Sequence, residues 1–342
     1  MMTAANDIAW LHELAGVLAG NGLLASRDDL HCSPLTGGVS SDIWLLEAGG
    51  QKLVVKRALA KLRVAQDWRA PVTRNVAEAR WLSTVHAFLP DAVPEVLYED
   101  AERGLFVMSF IPPSTAPVWK SQLLGGHVDA RFAGAVGAML GRIHTQTAAQ
   151  PELAARFDNA TDFHQLRLSP YFETTAARHP DLAARILEIS QRTNDTRQCL
   201  VHGDVSPKNI LAAPRGPILL DAECANWGDP AFDLAFCLNH LLLKGVVLAD
   251  HRPLGAAFGS LVEHYFATVT FPPRGELEAR AAAMLPALFL ARVDGKSPVE
   301  YITSDEDRAL VRAVASELIQ SPTSRLDRIW DRWAEALAAT RQ

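Results

Sequence analysis

Little in this chain is available for stapling or for metal capture by sulfur. Its four cysteines, Cys32, Cys199, Cys224 and Cys237, contain no C-x-x-C pair. That argues against zinc ribbons and disulfide frameworks, and reduced thiols are the expectation. No apolar run reaches membrane-spanning length, and the start, MMTAANDIAW, lacks a basic stretch followed by an apolar core. No membrane partner and a cytoplasmic location are therefore expected. Basic charge is not in excess either: 33 Lys and Arg against 39 Asp and Glu give a net charge of −6, which argues against a general nucleic-acid surface. Repeats, low-complexity tracts and flexible linkers are lacking. What is present is apolar mass, 49% of 342 residues, enough for a sizeable core and of a length that suits two lobes.

The polar chemistry concentrates in Cys199 to Lys244. Leu200-Val201 runs into His202-Gly203-Asp204, and Asn209 follows five residues after the aspartate. The apolar pair Ile210-Leu211, a Pro/Gly turn from Pro214 to Pro217 and the run Ile218-Leu219-Leu220 read as a hairpin of short strands. It ends at Asp221 and Glu223. Asp204, Asn209, Asp221 and Glu223 are hard oxygen donors at the ends of stiff elements, as a Mg²⁺ site shared with phosphates requires. Each alone would read as a turn or strand cap; the ordered set reads as a phosphoryl-transfer site, which needs a metal site, an orienting carboxylate and a cation. A metallohydrolase built on His202, Asp204 and Asp221 is the rival chemistry. It lacks a further histidine cluster and leaves Asn209 without a role.

The spacing Asp-x4-Asn followed by a strand ending in Asp matches a protein-kinase catalytic loop and metal segment. With HGD, and D-P-x-x-D-L-A from Asp229 through Asp233 to Ala235, the segment resembles the aminoglycoside phosphotransferase and choline kinase superfamily. Asp221-Ala222-Glu223 resembles its methylthioribose kinase branch, as does VVKRALAKLRVAQDWRAPVTRNVAEARWL with its loop of Trp68, Arg69 and Pro71. The resemblance implies Asp204 as the catalytic carboxylate, Asn209 and Asp221 as Mg²⁺ ligands with Glu223 in support, and Asp233 as a brace for the His202–Asp204 loop.

Upstream, Asp7 reads as the cap of a first helix through about Leu18. The Gly/Ser turn with Gly37, Gly38 and Ser40 can offer backbone N–H groups to phosphate oxygens. Lys52 to Lys56 resembles the V-A-I-K strand, making Lys56 a phosphate contact with Glu78 of the next helix as its partner. Strands are expected at Pro94–Tyr98 and Leu105–Ile111, the second bringing Met108 and Phe110 to an adenine edge. Beyond Asp129 the chain reads as helical. Gly134, Gly137 and Gly141 read as helix-packing residues and His144 as structural. Pro170 and Pro180 break an insertion over residues 151–195. Amphipathic helices follow around Leu254–Val269, Leu277–Arg292, Glu306–Leu318 and Arg325–Leu337. Trp227, in a loop, and Arg292 and Lys296, in a polar break, are the candidate acceptor contacts; core packing and helix capping are the plain alternatives.

The expected fold is α+β and bilobal, protein-kinase-like, with a small mixed β-sheet lobe over residues 1–108 and a mostly helical lobe over 109–342. The expected activity is transfer of the γ-phosphoryl group of ATP, with Mg²⁺, to a hydroxyl of a sugar-like or other small metabolite. An amino alcohol or aminoglycoside is the alternative acceptor. A non-catalytic nucleotide-binding scaffold is the alternative of another class, and the sequence leaves oligomeric state open.

Overall fold

The computed structural model describes residues 6–26, 29–35, 41–59 and 74–340. Two compact units result, Met1–Pro112 and Pro113–Gln342. Gly37, Gly38, Ser40, Trp68, Arg69 and Pro71 lie outside the described residues.

In the first unit, helix α1 (Asn6–Gly20) precedes strands β1 (His31–Pro34), β2 (Ser41–Ala48) and β3 (Gln51–Ala58), then α2 (Arg74–His86), β4 (Val96–Asp100) and β5 (Leu105–Ser109). Asp7 lies inside the first turn of α1, not before it as the capping expectation had it. The sheet order is β1-β2-β3-β5-β4 and every pairing is antiparallel. That corrects the expectation of a mixed sheet: β1 to β3 run as consecutive antiparallel neighbours, and β5 turns back from β4 to lie beside β3. Strand periodicity sorts the two faces. Leu46, Ala48, Leu53, Val55, Leu105 and Val107 share one core with Leu11, Leu14, Ala15 and Leu18 of α1. Lys56, one residue out of phase with Val55, turns to the opposite face. Helix α2 is fixed there by Asn75, whose Nδ2 donates to the carbonyls of Lys56 at 3.2 Å and Gly104 at 2.9 Å.

The second unit is mostly helical. It comprises α3 (Trp119–Leu124), α4 (Ala130–Ala148), α5 (Leu153–Arg156), α6 (Ala160–Phe163), α7 (Thr174–Arg178) and α8 (Ala183–Asp195). The small strands β6 (Cys199–Val201), β7 (Ile210–Ala213), β8 (Gly216–Leu219) and β9 (Asn226–Gly228) follow. Then come α9 (Pro230–Lys244), α10 (Arg252–Thr268), α11 (Arg274–Asp294), α12 (Asp305–Gln320) and α13 (Leu326–Ala339). Asp129 caps α4 by accepting from the Arg131 N–H. The glycines of α4 let α10 approach: a Cβ on Gly141 would stand 2.9 Å from the Tyr265 carbonyl oxygen.

Pro170 does not break its segment. His164–Glu173 winds as a π-helix between α6 and α7, with Pro170 inside it. The Thr174 hydroxyl donates to the Ser169 carbonyl, and the Thr175 hydroxyl to Tyr171. Pro170 itself gives the helical ladder no N–H. Helix α9 is buried along its whole length, Asp233, Asn239, His240 and Lys244 included. Among the described residues no helix is long and apolar enough to cross a membrane.

Candidate active site

In the first unit Lys56 Nζ lies 2.6 Å from Glu78 Oε2, both side chains almost wholly buried. Lys56 is not at a strand end facing water: β3 continues to Ala58. Met108 is buried in β5, and Phe110 is half-buried with the Lys52 ammonium 5.8 Å from its ring centroid.

In the second unit β6 delivers the chain into His202-Gly203-Asp204. Its partner is β9, with Leu200 opposite Trp227, while β7 and β8 form their own hairpin. Gly203 has φ +76°, and a Cβ there would stand 2.5 Å from the Cys224 carbonyl oxygen, so only glycine fits. Asp233, in the first turn of α9, accepts from the His202 N–H at 2.7 Å and the Gly203 N–H at 2.8 Å. The same carboxylate takes a bond from His144 Nε2 at 3.2 Å, and Tyr265 Oη lies 2.9 Å from His144 Nδ1. His202 Nε2 donates to the Leu220 carbonyl at 3.0 Å, leaving Nδ1 to accept the Asp204 N–H at 3.1 Å. This is a neutral tautomer. Burial holds the His202 pKa below its ordinary value, against the charges of Asp233, Asp204 and Asp221.

The Asp204 side chain is buried, with Arg167 Nη2 3.0 Å and Lys208 Nζ 3.1 Å from its Oδ2. Burial would raise its pKa, but the Arg167 and Lys208 charges override that and hold it below the usual carboxylate range. The group is ionised at neutral pH. Arg167 also donates from Nε to the Gly203 carbonyl at 2.5 Å. Asn209 Nδ2 donates to the Asp204 carbonyl at 3.0 Å, which commits the amide nitrogen and leaves the amide oxygen as the donor atom for a cation. Asp221 has φ +67°, the one non-glycine in the left-handed region among the described residues. Such strain is held at sites where a side chain must be aimed. Glu223, two residues on, is buried.

Among the described residues no group of three or more His, Cys, Asp or Glu side chains is gathered as a metal site. Asn209, Asp221 and Glu223 carry hard oxygen donors, the kind that suits a cation such as Mg²⁺, which keeps water and phosphate oxygens among its ligands.

The acceptor candidates divide. Trp227 stands within β9, not in a loop, and is buried with its N–H on the Phe157 carbonyl. Lys296 is half-buried beyond the end of α11, its N–H on the Pro170 carbonyl. Arg292 Nη1 donates to Tyr171 Oη at 3.0 Å and to the Ser297 carbonyl. Tyr171 joins it to the His202–Asp204 loop through Arg167, since Arg167 and Arg292 lie 5.9 and 5.5 Å from its ring centroid. Sequence reading missed Arg167, whose neighbours in the chain carry no motif. It also missed Lys208, which stands inside the SPKN stretch and was open to notice.

A family model described as the phosphotransferase enzyme family, APH, matches residues 31–266. Methylthioribose kinase of Yersinia enterocolitica is 28% identical over 223 residues, covering 58% of this chain and 55% of its own length. Methylthioribose kinase 2 of Oryza sativa subsp. japonica is 23% identical over 229 residues, 59% of this chain and 53% of its own. The chain thus spans about half the length of the curated relatives it matches. Among solved structures, amicoumacin kinase hAmiN, in complex with AMP-PNP, Ca²⁺ and Ami, superposes with a TM-score of 0.57 at 15% identity, over 93% of this chain and 96% of that one. Choline kinase from Cryptosporidium parvum Iowa II gives 0.54 at 11% identity, over 93% and 99%. At these identities the likeness is one of fold, which is kinase-like.

Proposed function

We propose, from the premise that this chain belongs to the phosphotransferase enzyme family, that it is an ATP-dependent kinase of a small hydroxylated metabolite. The observation that carries the reading is the buried Asp204 carboxylate, set on a loop whose two preceding amides are both tied to Asp233. A base so held loses no orientation when the acceptor arrives.

The acceptor oxygen attacks the γ-phosphorus, the bond from that phosphorus to the β–γ bridging oxygen breaks, ADP departs, and the hydroxyl proton passes to Asp204. Low basicity suits this carboxylate, because in a loose phosphoryl-transfer transition state it chiefly orients the hydroxyl and takes its proton late. Lys56, steadied by Glu78, supplies a cation to the nucleotide's phosphates, with the backbone of Gly37, Gly38 and Ser40 as further donors. Met108 and Phe110 give apolar contact to the base. Asn209 and Asp221, with Glu223 in support, would hold Mg²⁺, which when bound offsets phosphate charge. The methylthioribose kinases among the relatives favour a sugar-like acceptor over an amino alcohol.

The test is ADP release with a panel of hydroxylated acceptors, with nucleotide binding measured separately by calorimetry with AMP-PNP and Mg²⁺. Asp204→Asn should lose at least about a hundredfold in kcat, the low end of a general base's contribution, while AMP-PNP binding persists. Near-normal turnover in that variant would move the base elsewhere.

A further inference from the structure

One cluster in the second unit is left unused by the transfer chemistry, and it is cationic. Lys244, at the end of α9, is completely buried, and its ammonium donates to the His240 carbonyl at 3.2 Å. It lies 5.2 Å from the ring centroid of Tyr301. Lys120 Nζ lies 5.8 Å from the same ring and pairs with the exposed Glu300. Arg292, at the end of α11, has its Nε buried without a partner, and the Tyr301 hydroxyl is likewise buried without one. Neither Lys244 nor Arg292 has a carboxylate within ion-pair distance among the described residues.

The dipole at the C-terminus of α9 explains part of Lys244's placement. It does not explain a buried ammonium, a half-buried guanidinium with an orphaned Nε and an orphaned hydroxyl set around one another. Buried charge without a counter-ion is costly enough that folds retain it where something supplies the counter-charge. The cluster also connects to the base. Tyr171 lies between Arg292 and Arg167, and Arg167 is on Asp204. His240 feels the charges of both Lys244 and Lys208, and Lys208 is also on Asp204.

We propose that the acceptor carries, apart from the hydroxyl presented to Asp204, an anionic group of carboxylate or phosphate type, seated by Lys244, Arg292 and the Tyr301 hydroxyl, with Lys120 on the outer side. This rests on the kinase reading and narrows its substrate to hydroxy acids or phosphorylated alcohols. A guanidinium and a hydroxyl supply directed donors to such oxygens, and the buried ammonium supplies charge. A quaternary or polyamine acceptor is excluded by the same charges.

The protein is loaded with AMP-PNP and Mg²⁺, and its melting temperature is followed with inorganic phosphate, acetate and chloride at constant ionic strength. D-gluconate, D-glucose 6-phosphate, D-glucose and D-glucosamine are then compared by calorimetry. Phosphate or acetate should raise the melting temperature above chloride. The anionic sugar derivatives should bind at least about tenfold tighter than glucose, with glucosamine weakest. The phosphate and carboxylate arms distinguish the two sources of charge. Lys244→Met and Arg292→Gln should each abolish that preference, with AMP-PNP affinity retained. Absence of an anion effect in the parent protein, or an equal effect in both variants, overturns the inference while leaving the kinase reading intact. Failure of the parent protein to bind AMP-PNP overturns the kinase reading instead, and the bare-anion arm repeated without nucleotide still decides the cluster.

Discussion

Arg167 ties the Asp204 side chain to the backbone of its own loop. Its guanidinium holds one oxygen of that carboxylate and the carbonyl of Gly203, fixing the side chain and the backbone beside it. Burial would lower its pKa, but the nearby Asp204 charge more than compensates and keeps it fully cationic. Arg167→Met should therefore lower kcat by about a hundredfold, the penalty for loosened catalytic geometry. The stability cost should fall below the ~3–5 kcal/mol of a broken buried ion pair, because Lys208 remains on Asp204. Lysine at position 167 should restore charge but not the second bond, and so recover only part of kcat. Steady-state kinetics beside urea unfolding separate the two effects; a stability loss with unchanged kcat would make Arg167 structural only. No sequence pattern pointed to this residue. It reaches Asp204 from a helical segment 36 residues upstream of Gly203, and contacts between distant positions leave no local signature.

At the scale of elements, the first turn of α9 is what anchors the His202–Asp204 loop. Asp233 offers both oxygens to consecutive amides and also meets His144 of α4. Asp233→Ala leaves two buried N–H groups without an acceptor, and at about 1–3 kcal/mol each it should cost roughly 3 kcal/mol or more of stability. It should also lower kcat at least tenfold, with nucleotide affinity changed less. A variant of parental stability would mean that water replaces the carboxylate. This much of the site was legible because Asp233 stands near the start of a strongly apolar helix, where a buried carboxylate must find donors, and the family resemblance pointed to the His202–Asp204 loop as their source. The hairpin of β7 and β8 was legible from its turn residues. The pairing of β6 with β9 was not: each has three residues, too few for periodicity to register, and Trp227 was accordingly taken for a loop residue. Pro170 misled in the opposite sense, since a π-helical winding accommodates what an α-helix would not. Lys56 and Glu78, which do pair, were readable as partners from the resemblance of Lys52–Lys56 to the V-A-I-K strand, whose lysine takes a carboxylate from the next helix.

For the molecule as a whole, the buried cation at Lys244 should set the pH dependence of stability near neutrality. Burial, and next the charge of Lys120, push its pKa from an ordinary 10.5 down to about 7. The groups facing it are the cations Lys120 and Arg292, the His240 carbonyl, the Cys237 thiol, the Tyr301 ring and the carboxylate of Glu300, which is itself paired to Lys120. His240 adds no charge, since burial and those same cations hold it well below its ordinary pKa. Between pH 7 and 10.5 the unfolded chain keeps a proton on Lys244 that the folded chain has released, so protonation favours unfolding. The Lys244 contribution to stability must then rise with pH, by at most about 1.4 kcal/mol per unit. Below pH 7 both states are protonated and the penalty is constant and maximal. Cys199, Cys224 and Cys237 act in the opposite direction at higher pH, because burial raises their pKa values. The comparison that isolates Lys244 is therefore the difference between parent and Lys244→Met, measured by urea unfolding from pH 6 to pH 9. The variant should be the more stable at pH 6, and its advantage should shrink steadily above pH 7. Removal of a residue retained for ligand binding commonly stabilises the empty protein. An advantage that does not vary with pH would show that Lys244 keeps its ordinary pKa, and a loss of stability at pH 6 would show that its charge is already compensated inside the fold.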